Sequence, residues 1–527
     1  MFFRSGPRRV AAVLIPVSML AAGCGTLSAS DDDERHIDVG TTSAPSTLDP
    51  AAAWDGSWEL YRNVYQTLMH YAGTSAVPQP DAAKSCGFTA ADSRTYRCKL
   101  REDLTFSNGN PLDAAAVKHS FDRVFAINAE TGPAGLLDSL EKVETEGERT
   151  VTFHLKRPDA TFPFILAAPA TSLVDPETYP ADKLADTGTL VGSGPYTLAS
   201  YEKGSVAELE RNSDYRGDAE MRNDSVSIRY FDDSDAMTDA LKKGDIDVTY
   251  RGLPPDRVPE LEKAADEKGS IALSRVVMPE IRYLVFNPEH EHADSLAVRH
   301  AVAQVVDRDA LVRKVYGRTA EPLYSMIPRG ITGHTTAFFD RYGEPDPEAA
   351  ALTLQTAGIT EPVPLTLWFT TDRYGSVTAR EFRELERQLE ASGLFEVTVK
   401  GRKWEQFAAA YNKGEYPVFG RGWSPDFPDP DNYIAPFTGE RNALGTPYEN
   451  AEITDDLLPT SRRKADRAGV NDQFARAQDI LAEDARLLPL WQARQYIAAH
   501  DDVAGVEWSL DASTIMRMWE LYKKTSW

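Results

Sequence analysis

Residues 420–433 (GRGWSPDFPDPDNY) carry the side chains whose types and spacing most clearly suggest binding chemistry. An indole, Trp423, stands three residues before a carboxylate, Asp426, and three prolines stiffen the backbone around them. The Asp-Pro-Asp of 429–431 predicts a turn whose aspartates bond nearby amides, so Asp426 is the carboxylate more available to a ligand. Because a plain surface connection has the same composition, the residues alone indicate only a candidate anion site.

The elements that position this stretch follow from the apolar pattern. Helical spacing predicts helices at 58–69, 113–125, 346–357, 376–389 and 466–481. Runs rich in β-formers predict strands at 151–155, 196–198, 206–209, 226–230, 246–250, 283–286, 365–369, 395–399 and 496–499, and the apolar run 417–419 predicts one that delivers Trp423. Interleaved helices and strands indicate an α/β fold with mixed sheets, and the length indicates two or three lobes.

Motifs for enzymatic chemistry are absent from the sequence. It contains no Gly-x-Ser-x-Gly elbow, no His-Glu-x-x-His and no phosphate-binding loop ending in Gly-Lys. The cluster His290, His292 and Asp294 lacks a further ligand at regular spacing, so we expect no metal site there and no cofactor elsewhere. A net charge of −24 makes nucleic acid an unfavourable partner.

The first residues predict export. Arginines at positions 4, 8 and 9 precede an apolar run, which ends in small residues at Cys24. This arrangement resembles the bacterial lipobox, although Ala21 stands where a larger aliphatic residue is commoner, and it implies a signal peptide over 1–23 and a lipidated Cys24. Residues 24–36 are then an acidic tether. Cys86 and Cys98 remain as a pair in an oxidising compartment, and we expect a disulfide that stabilises the fold by about 3 kcal/mol.

Several motifs together resemble a known family. Gly-Trp-x-x-Asp followed by Asp-Pro-Asp-Asn-Tyr is similar to the signature of the extracytoplasmic solute-binding proteins, family 5, which serve peptide, oligopeptide and nickel ABC importers. Further matching pieces occur in order at 47–50 (TLDP), 106–109 (FSNG), 192–196 (GSGPY), 211–215 (RNSDY), 244–247 (GDID) and 298–301 (VRHA). The resemblance covers residues 37–510 and, with the lipobox, implies a lipoprotein member of actinobacterial type.

The resemblance implies a two-lobed periplasmic-binding-protein-like fold of type II with an extra domain and a ligand cleft between the lobes. Lobe I is expected to combine 37–72, 190–277 and 496–527. The extra domain is expected at 73–189 and lobe II at 278–495.

The resemblance also assigns site residues. Asp426 is expected to accept the α-ammonium of a peptide, and Trp423 to wall the pocket. Ser193, Gly194 and Thr47 are expected to supply groups that bond the peptide main chain. Two residues compete for the peptide carboxylate: Arg373, which follows a predicted strand, and Arg421, which shares a strand face with Trp423.

The implied function is capture of di- or oligopeptides for a membrane permease. The implied partners are ABC permease subunits and their ATPases, and we expect a monomer held by its lipid anchor at the outer face of the cell membrane. Alternatives with the same fold are binding of an oligosaccharide, a nickel chelate or haem, and peptide sensing as a receptor. A secreted hydrolase is the competing enzyme class. A buried aspartate favours a cationic group, and hence peptides, over sugars.

Overall fold

The computed structural model describes residues 35–52, 57–73, 75–186, 188, 190–268, 270–375, 377–439 and 442–524. The helices are, in chain order, α1 Ser57–Val64, α2 Ala114–Ile127, α3 Phe162–Ile165, α4 Ser234–Lys243, α5 Val258–Lys268, α6 Leu296–Val305, α7 Arg308–Leu311, α8 Ala337–Tyr342, α9 Pro347–Thr356, α10 Thr378–Ala391, α11 Trp404–Tyr411, α12 Leu458–Arg462 and α13 Asn471–Asp484.

The strands of the same residues are β1 His36–Thr41, β2 Met69–Tyr71, β3 Pro78–Pro80, β4 Ala83–Phe88, β5 Thr95–Leu100, β6 Leu140–Glu146, β7 Thr150–Leu155, β8 Tyr196–Glu202, β9 Val206–Arg211, β10 Ser225–Tyr230, β11 Val248–Thr249, β12 Ile271–Phe286, β13 Ala320–Pro322, β14 Val363–Thr370, β15 Phe395–Arg402, β16 Val418–Trp423, β17 Leu487–His500, β18 Val503–Ala504 and β19 Tyr522–Lys523. Helices and strands interleave, and parallel and antiparallel pairs share one sheet, so the predicted mixed α/β fold is confirmed.

Two long strands organise the largest sheet, whose order is β15-β14-β16-β12-β17-β11-β1-β10-β9-β8. β12 and β17 are antiparallel, and their pairing runs from Ile271 opposite His500 to Val285 opposite Leu487. The register is irregular between Val277 and Ile281. One end of this pair borders β11, whereas the other end borders β16, so β12 and β17 connect the two halves of the sheet.

Two large hydrophobic clusters form the interior. The first joins β1, through Val39, to the four-stranded sheet β4-β5-β7-β6, through Phe153, and to the C-terminal segment, through Met516. The second packs residues between Ile281 and Trp491. Residues assigned to lobe I and to the extra domain thus share one cluster, while the domain boundaries stay a prediction.

The cysteine pair lies in the hairpin of β4 and β5. Cys86 is directly opposite Cys98, and the two form the expected disulfide. The hairpin turns at residues 89–94, and β5 also pairs with β7, so the cross-link secures an edge strand to the rest of this small sheet.

Several local predictions differ from the structure in their bounds. The predicted strand 496–499 is only the end of β17, and the predicted helix 466–481 begins at Asn471 as α13. The predicted helix 58–69 ends at Val64, because Met69 begins β2, which pairs with β3. The predicted strand 283–286 is only the end of β12, since the polar residues earlier in that strand hid its length.

The N-terminal predictions concern residues outside the described part of the chain. Signal peptide 1–23, Cys24 and the tether up to residue 34 all lie there. No helix among the residues that the structure does describe is long and apolar enough to cross a bilayer.

Candidate functional site

β16 delivers Trp423 to the loop that holds Asp426. The strand ends at Trp423, and a short 3-10 turn, Pro430–Tyr433, follows the loop. Asp429 begins that turn, with its side chain accepting a hydrogen bond from the backbone N–H of Asp431 at 2.9 Å. The proline at the first position of the turn costs no hydrogen bond there, which explains why this sequence turns sharply.

Asn432 connects the two predicted ligand-binding residues of this loop. Its amide Oδ1 accepts a hydrogen bond from the backbone N–H of Asp426 at 2.9 Å and another from the indole Nε1 of Trp423 at 3.3 Å. Its Nδ2 donates to Oδ2 of Asp426 at 3.0 Å. One side-chain amide therefore fixes the orientation of both the carboxylate and the indole.

The other two aspartates of the loop form buried ion pairs. Arg467 makes two parallel contacts with Asp429, at 2.7 and 2.8 Å, and Arg462 makes two with Asp431, at 2.7 and 2.8 Å. Burial by itself lowers the pKa of Arg462, but the attraction and hydrogen bonds of Asp431 raise it overall. These two ion pairs fix the loop, so the backbone that carries Asp426 is held in place.

The loop borders a cavity of about 940 Å³, here called the cleft. Trp423, Asp426 and Asn432 belong to its lining, together with described residues of the segments 435–438 and 442–447. A second part of the lining comes from residues 135–165, including Asp138 and Ile165. The cleft thus lies between the predicted lobe II and the predicted extra domain.

The two sides of the cleft touch at its margin. The rings of Phe164 and Phe427 are 6.2 Å apart between centroids, and the backbone N–H of Ala160 donates to the carbonyl of Arg462 at 2.8 Å. These contacts join the two sides of the cleft at that edge.

The charged side chains in the described lining are mostly aspartates. It contains Asp138, Asp159, Asp426 and Asp431 against two arginines, Arg157 and Arg462. Arg157 pairs with Asp138 at 2.7 Å, and Arg462 pairs with Asp431. Both arginines are therefore engaged with aspartates, and the described lining carries an excess of negative charge, which favours a cationic group in the ligand.

The two arginines predicted to pair with the peptide carboxylate, Arg421 and Arg373, lie outside the described lining of the cleft. Arg421 is buried, with its guanidinium carbon 4.3 Å from the Tyr411 ring centroid, and its Nη1 donates to the carbonyl of Ala443 at 3.1 Å. Arg373 is exposed, and its guanidinium carbon stands 4.2 Å from the Trp404 ring centroid. Arg421 thereby holds a residue that lines the cleft, while the ligand role of both arginines stays a prediction.

The structure also places Ser193, Gly194 and Thr47 outside that lining. Ser193 is buried, and the N–H of Gly194 donates to the carbonyl of Val64 at 2.8 Å. A Cβ on Gly194 would stand 2.5 Å from the carbonyl carbon of Val64, so only glycine is tolerated there. Thr47 accepts a hydrogen bond from Tyr61 through its carbonyl at 2.8 Å. Their contacts hold α1 in place.

Sequence reasoning missed the residues that orient and face Asp426. The sequence predicts no separate role for Asn432, although its place directly after Asp-Pro-Asp is a usable signal. Asp138 and Asp159 gave no signal, because they lie far away in the chain. Among the described residues, no group of three or more histidines, cysteines or acids could hold a metal, and His290 instead contacts the carbonyl of Gly414 at 2.6 Å.

Comparisons with known proteins agree with this architecture. The probable D,D-dipeptide-binding periplasmic protein DdpA of Escherichia coli K12 is 26% identical over 89% of this chain and 90% of its own length. The glutathione-binding protein GsiB of Shigella dysenteriae is 25% identical over 92% and 93%. These relatives are named as binding proteins and not as enzymes.

The fold is also found among solved structures. The periplasmic binding protein DppA from Helicobacter pylori, in complex with the peptide STSA, superimposes with a TM-score of 0.78 at 21% identity, covering 94% of this chain and 99% of that one. The sequence model described as "Bacterial extracellular solute-binding proteins, family 5 Middle" matches residues 77–445. The chain belongs to the family 5 bacterial extracellular solute-binding proteins that serve ABC transporters.

Proposed function

We propose that this protein captures short peptides in the cleft and delivers them to the permease of an ABC importer. Membership of family 5 and the names of its relatives, one for D,D-dipeptides and one for glutathione, support a peptide-like solute. The cavity of about 940 Å³ has the size of a small-molecule site rather than of a surface for a protein partner.

The observation that carries the proposal is the position of Asp426. Its carboxylate belongs to the lining of the cleft, is only 7% exposed, and is oriented by the amide of Asn432. A buried carboxylate is most stable beside a cation, and the α-ammonium of a peptide provides one with three N–H donors. Trp423, fixed by the same amide, offers a flat face to the first residues of the peptide.

Delivery follows from a change between open and closed forms. The strands β12 and β17 connect the two halves of the sheet, and a ligand that contacts both sides of the cleft stabilises the closed form. The permease then recognises that form. We further propose that Cys24 is lipidated, that the protein is held at the outer face of the membrane, and that it acts as a monomer.

Thermal unfolding of the purified protein tests the ligand class. A ligand that binds only the native state raises the melting temperature, so peptides of two to eight residues are compared with free and with acetylated amino ends. We expect stabilisation by the free-amino peptides only. Asp426→Asn should weaken their binding by about 30- to 100-fold, since it removes one partner of a buried charge pair.

A matched control separates this role from general charge loss. Asp138→Asn removes another aspartate of the cleft, one that is 61% exposed and paired with Arg157, and should change peptide affinity by less than about threefold. Equal stabilisation by acetylated peptides, or equal losses in the two variants, would contradict the role of Asp426. Stabilisation by no peptide would contradict the ligand class.

A further inference from the structure

A second cavity, of about 520 Å³, lies away from the cleft. It is here called the basic groove and is lined by Arg101 and by described residues of the segments 70–84, 218–222 and 517–520. The groove and the cleft have no described lining residue in common. Its size suits a small organic solute or headgroup rather than a single water molecule.

The charged side chains that line the groove are balanced differently from those of the whole chain, which is strongly acidic. Its cations are Lys84, Arg101, Arg222 and Arg517, whereas Asp218, Glu220 and Glu520 are its acids. The described lining is therefore slightly positive in a chain whose net charge is −24. Arg101 pairs closely with Asp218 at 2.6 Å, whereas Arg222 and Arg517 share the single carboxylate of Glu520 at the longer distances of 3.7 and 3.8 Å.

Arg517 is the deepest of these cations. Its side chain is 4% exposed, its Nη2 donates to the carbonyl of Trp508, and its Nε has no hydrogen-bond partner in the described part of the molecule. Burial lowers the pKa of its guanidinium, and Asp511 and Glu520 only partly oppose that effect. Arg517 therefore contributes a buried positive charge at the base of the groove, and an anion in the groove would help to balance it.

Arg222 is a second guanidinium of the groove, and its side chain is 42% exposed. Its guanidinium packs against the Tyr522 ring at 5.4 Å and forms no hydrogen bond within the described ranges. Glu520 stands 3.7 Å from its Nε and 3.8 Å from Nη1 of Arg517. At these distances the carboxylate attracts both guanidiniums without accepting their N–H groups, and the exposed side chain of Arg222 can present its donors to a ligand.

We propose that the basic groove is a second binding site, and that it takes a multivalent oxyanion: a small polycarboxylate or a phosphate group. Guanidinium groups match the planar carboxylate and the phosphate through paired N–H donors, and Lys84 adds a point charge at the opening. The ligand joins the segment 70–84 to the C-terminal segment 517–520. The site is independent of peptide capture in the cleft.

Isothermal titration calorimetry tests the site on the full chain carrying Cys24→Ser, which excludes a lipid anchor. Citrate, inorganic phosphate and sulfate are titrated at constant ionic strength, and we expect saturable binding of at least one of them. Arg222→Gln and Lys84→Gln should each weaken binding about fivefold, whereas Glu220→Gln, which removes a repelling acid, should strengthen it about twofold to threefold.

The control variant is Arg211→Gln. Arg211 is 48% exposed and stands 3.4 Å from Asp224, so it matches Arg222 in exposure and loose pairing but lies outside the groove. We expect the Arg211→Gln variant to bind anions as tightly as the parent protein, the chain with Cys24→Ser alone. The same loss in Arg211→Gln as in Arg222→Gln would show that only overall charge matters, and would overturn the site.

Vesicles of phosphatidylglycerol distinguish the two sources of a phosphate group. Cosedimentation that Arg222→Gln weakens, without binding of free anions, supports the site and identifies a lipid headgroup as its ligand. Binding of free anions without cosedimentation supports a small solute. The absence of both would overturn the proposal, and the melting temperatures of all variants confirm that they are folded.

Discussion

The cleft and the basic groove are both lined by charged side chains, but their arginines are used differently. In the cleft, Arg462 makes two contacts with the buried Asp431, at 2.7 and 2.8 Å. In the groove, the guanidinium of Arg222 makes no hydrogen bond to the residues that the structure describes, and the carboxylate of Glu520 is 3.7 Å from its Nε. The first arrangement fixes a loop, whereas the second leaves donors available.

The same contrast appears in the pKa values of the buried arginines. Burial lowers the pKa of Arg462, but Asp431 more than compensates and raises it overall. Burial also lowers the pKa of Arg517, and no carboxylate compensates fully. A cavity whose arginines are paired with aspartates, and which has more aspartates than arginines, favours a cationic ligand. A cavity with a buried arginine whose charge the nearby carboxylates do not fully balance favours an anion.

The largest difference between the two cavities should appear in stability. Arg462→Gln leaves Asp431, whose side chain is 5% exposed, as a buried charge without its partner, and should reduce the free energy of unfolding by about 2 to 3 kcal/mol. Arg222→Gln should change it by less than about 0.5 kcal/mol. Urea denaturation of both variants measures the difference, and equal losses would mean that the groove arginine is structural too.

A second prediction concerns the amide that orients Asp426. Asn432→Ala removes the hydrogen bonds to both Asp426 and Trp423, and should weaken peptide binding about tenfold through lost orientation. Asn412→Ala is the matched control, because Asn412 also lines the cleft but is exposed. Fluorescence titration with one peptide compares them. Equal affinities of the two variants would show that Asp426 needs no orienting partner.

The part of this site that could be predicted is the part that is continuous in sequence. A strand, an indole, a carboxylate and an Asp-Pro-Asp turn follow one another within 420–433, and the structure places Trp423 and Asp426 in one cavity wall. The ion partners of that turn could not be predicted. Arg462 and Arg467 come from a later segment, and only the packing of the chain brings them to the loop.

The ligand roles assigned by resemblance of position stay predictions. Gly194 allows close approach to Val64 and lies outside the described lining of the cleft. Arg421 lies two residues before Trp423 in β16, as expected, and its side chain is buried against Tyr411. The basic groove had no sequence signal at all, because its four contributing segments are separated by more than a hundred residues in places. Cavities built from distant segments depend on the tertiary fold, which local patterns do not specify.

The smallest expected effect concerns ligand charge, and it compares the cavities most directly. The described lining of the cleft is negative. At low salt, a tripeptide with lysine at its last position should therefore bind about threefold more tightly than one with glutamate at that position. The difference in affinity should shrink at 0.5 M salt, because salt screens the charges. Calorimetry at both salt concentrations measures it. The glutamate peptide binding more tightly would mean that a cation outside the described lining dominates the cleft, and the electrostatic contrast with the groove would then be wrong.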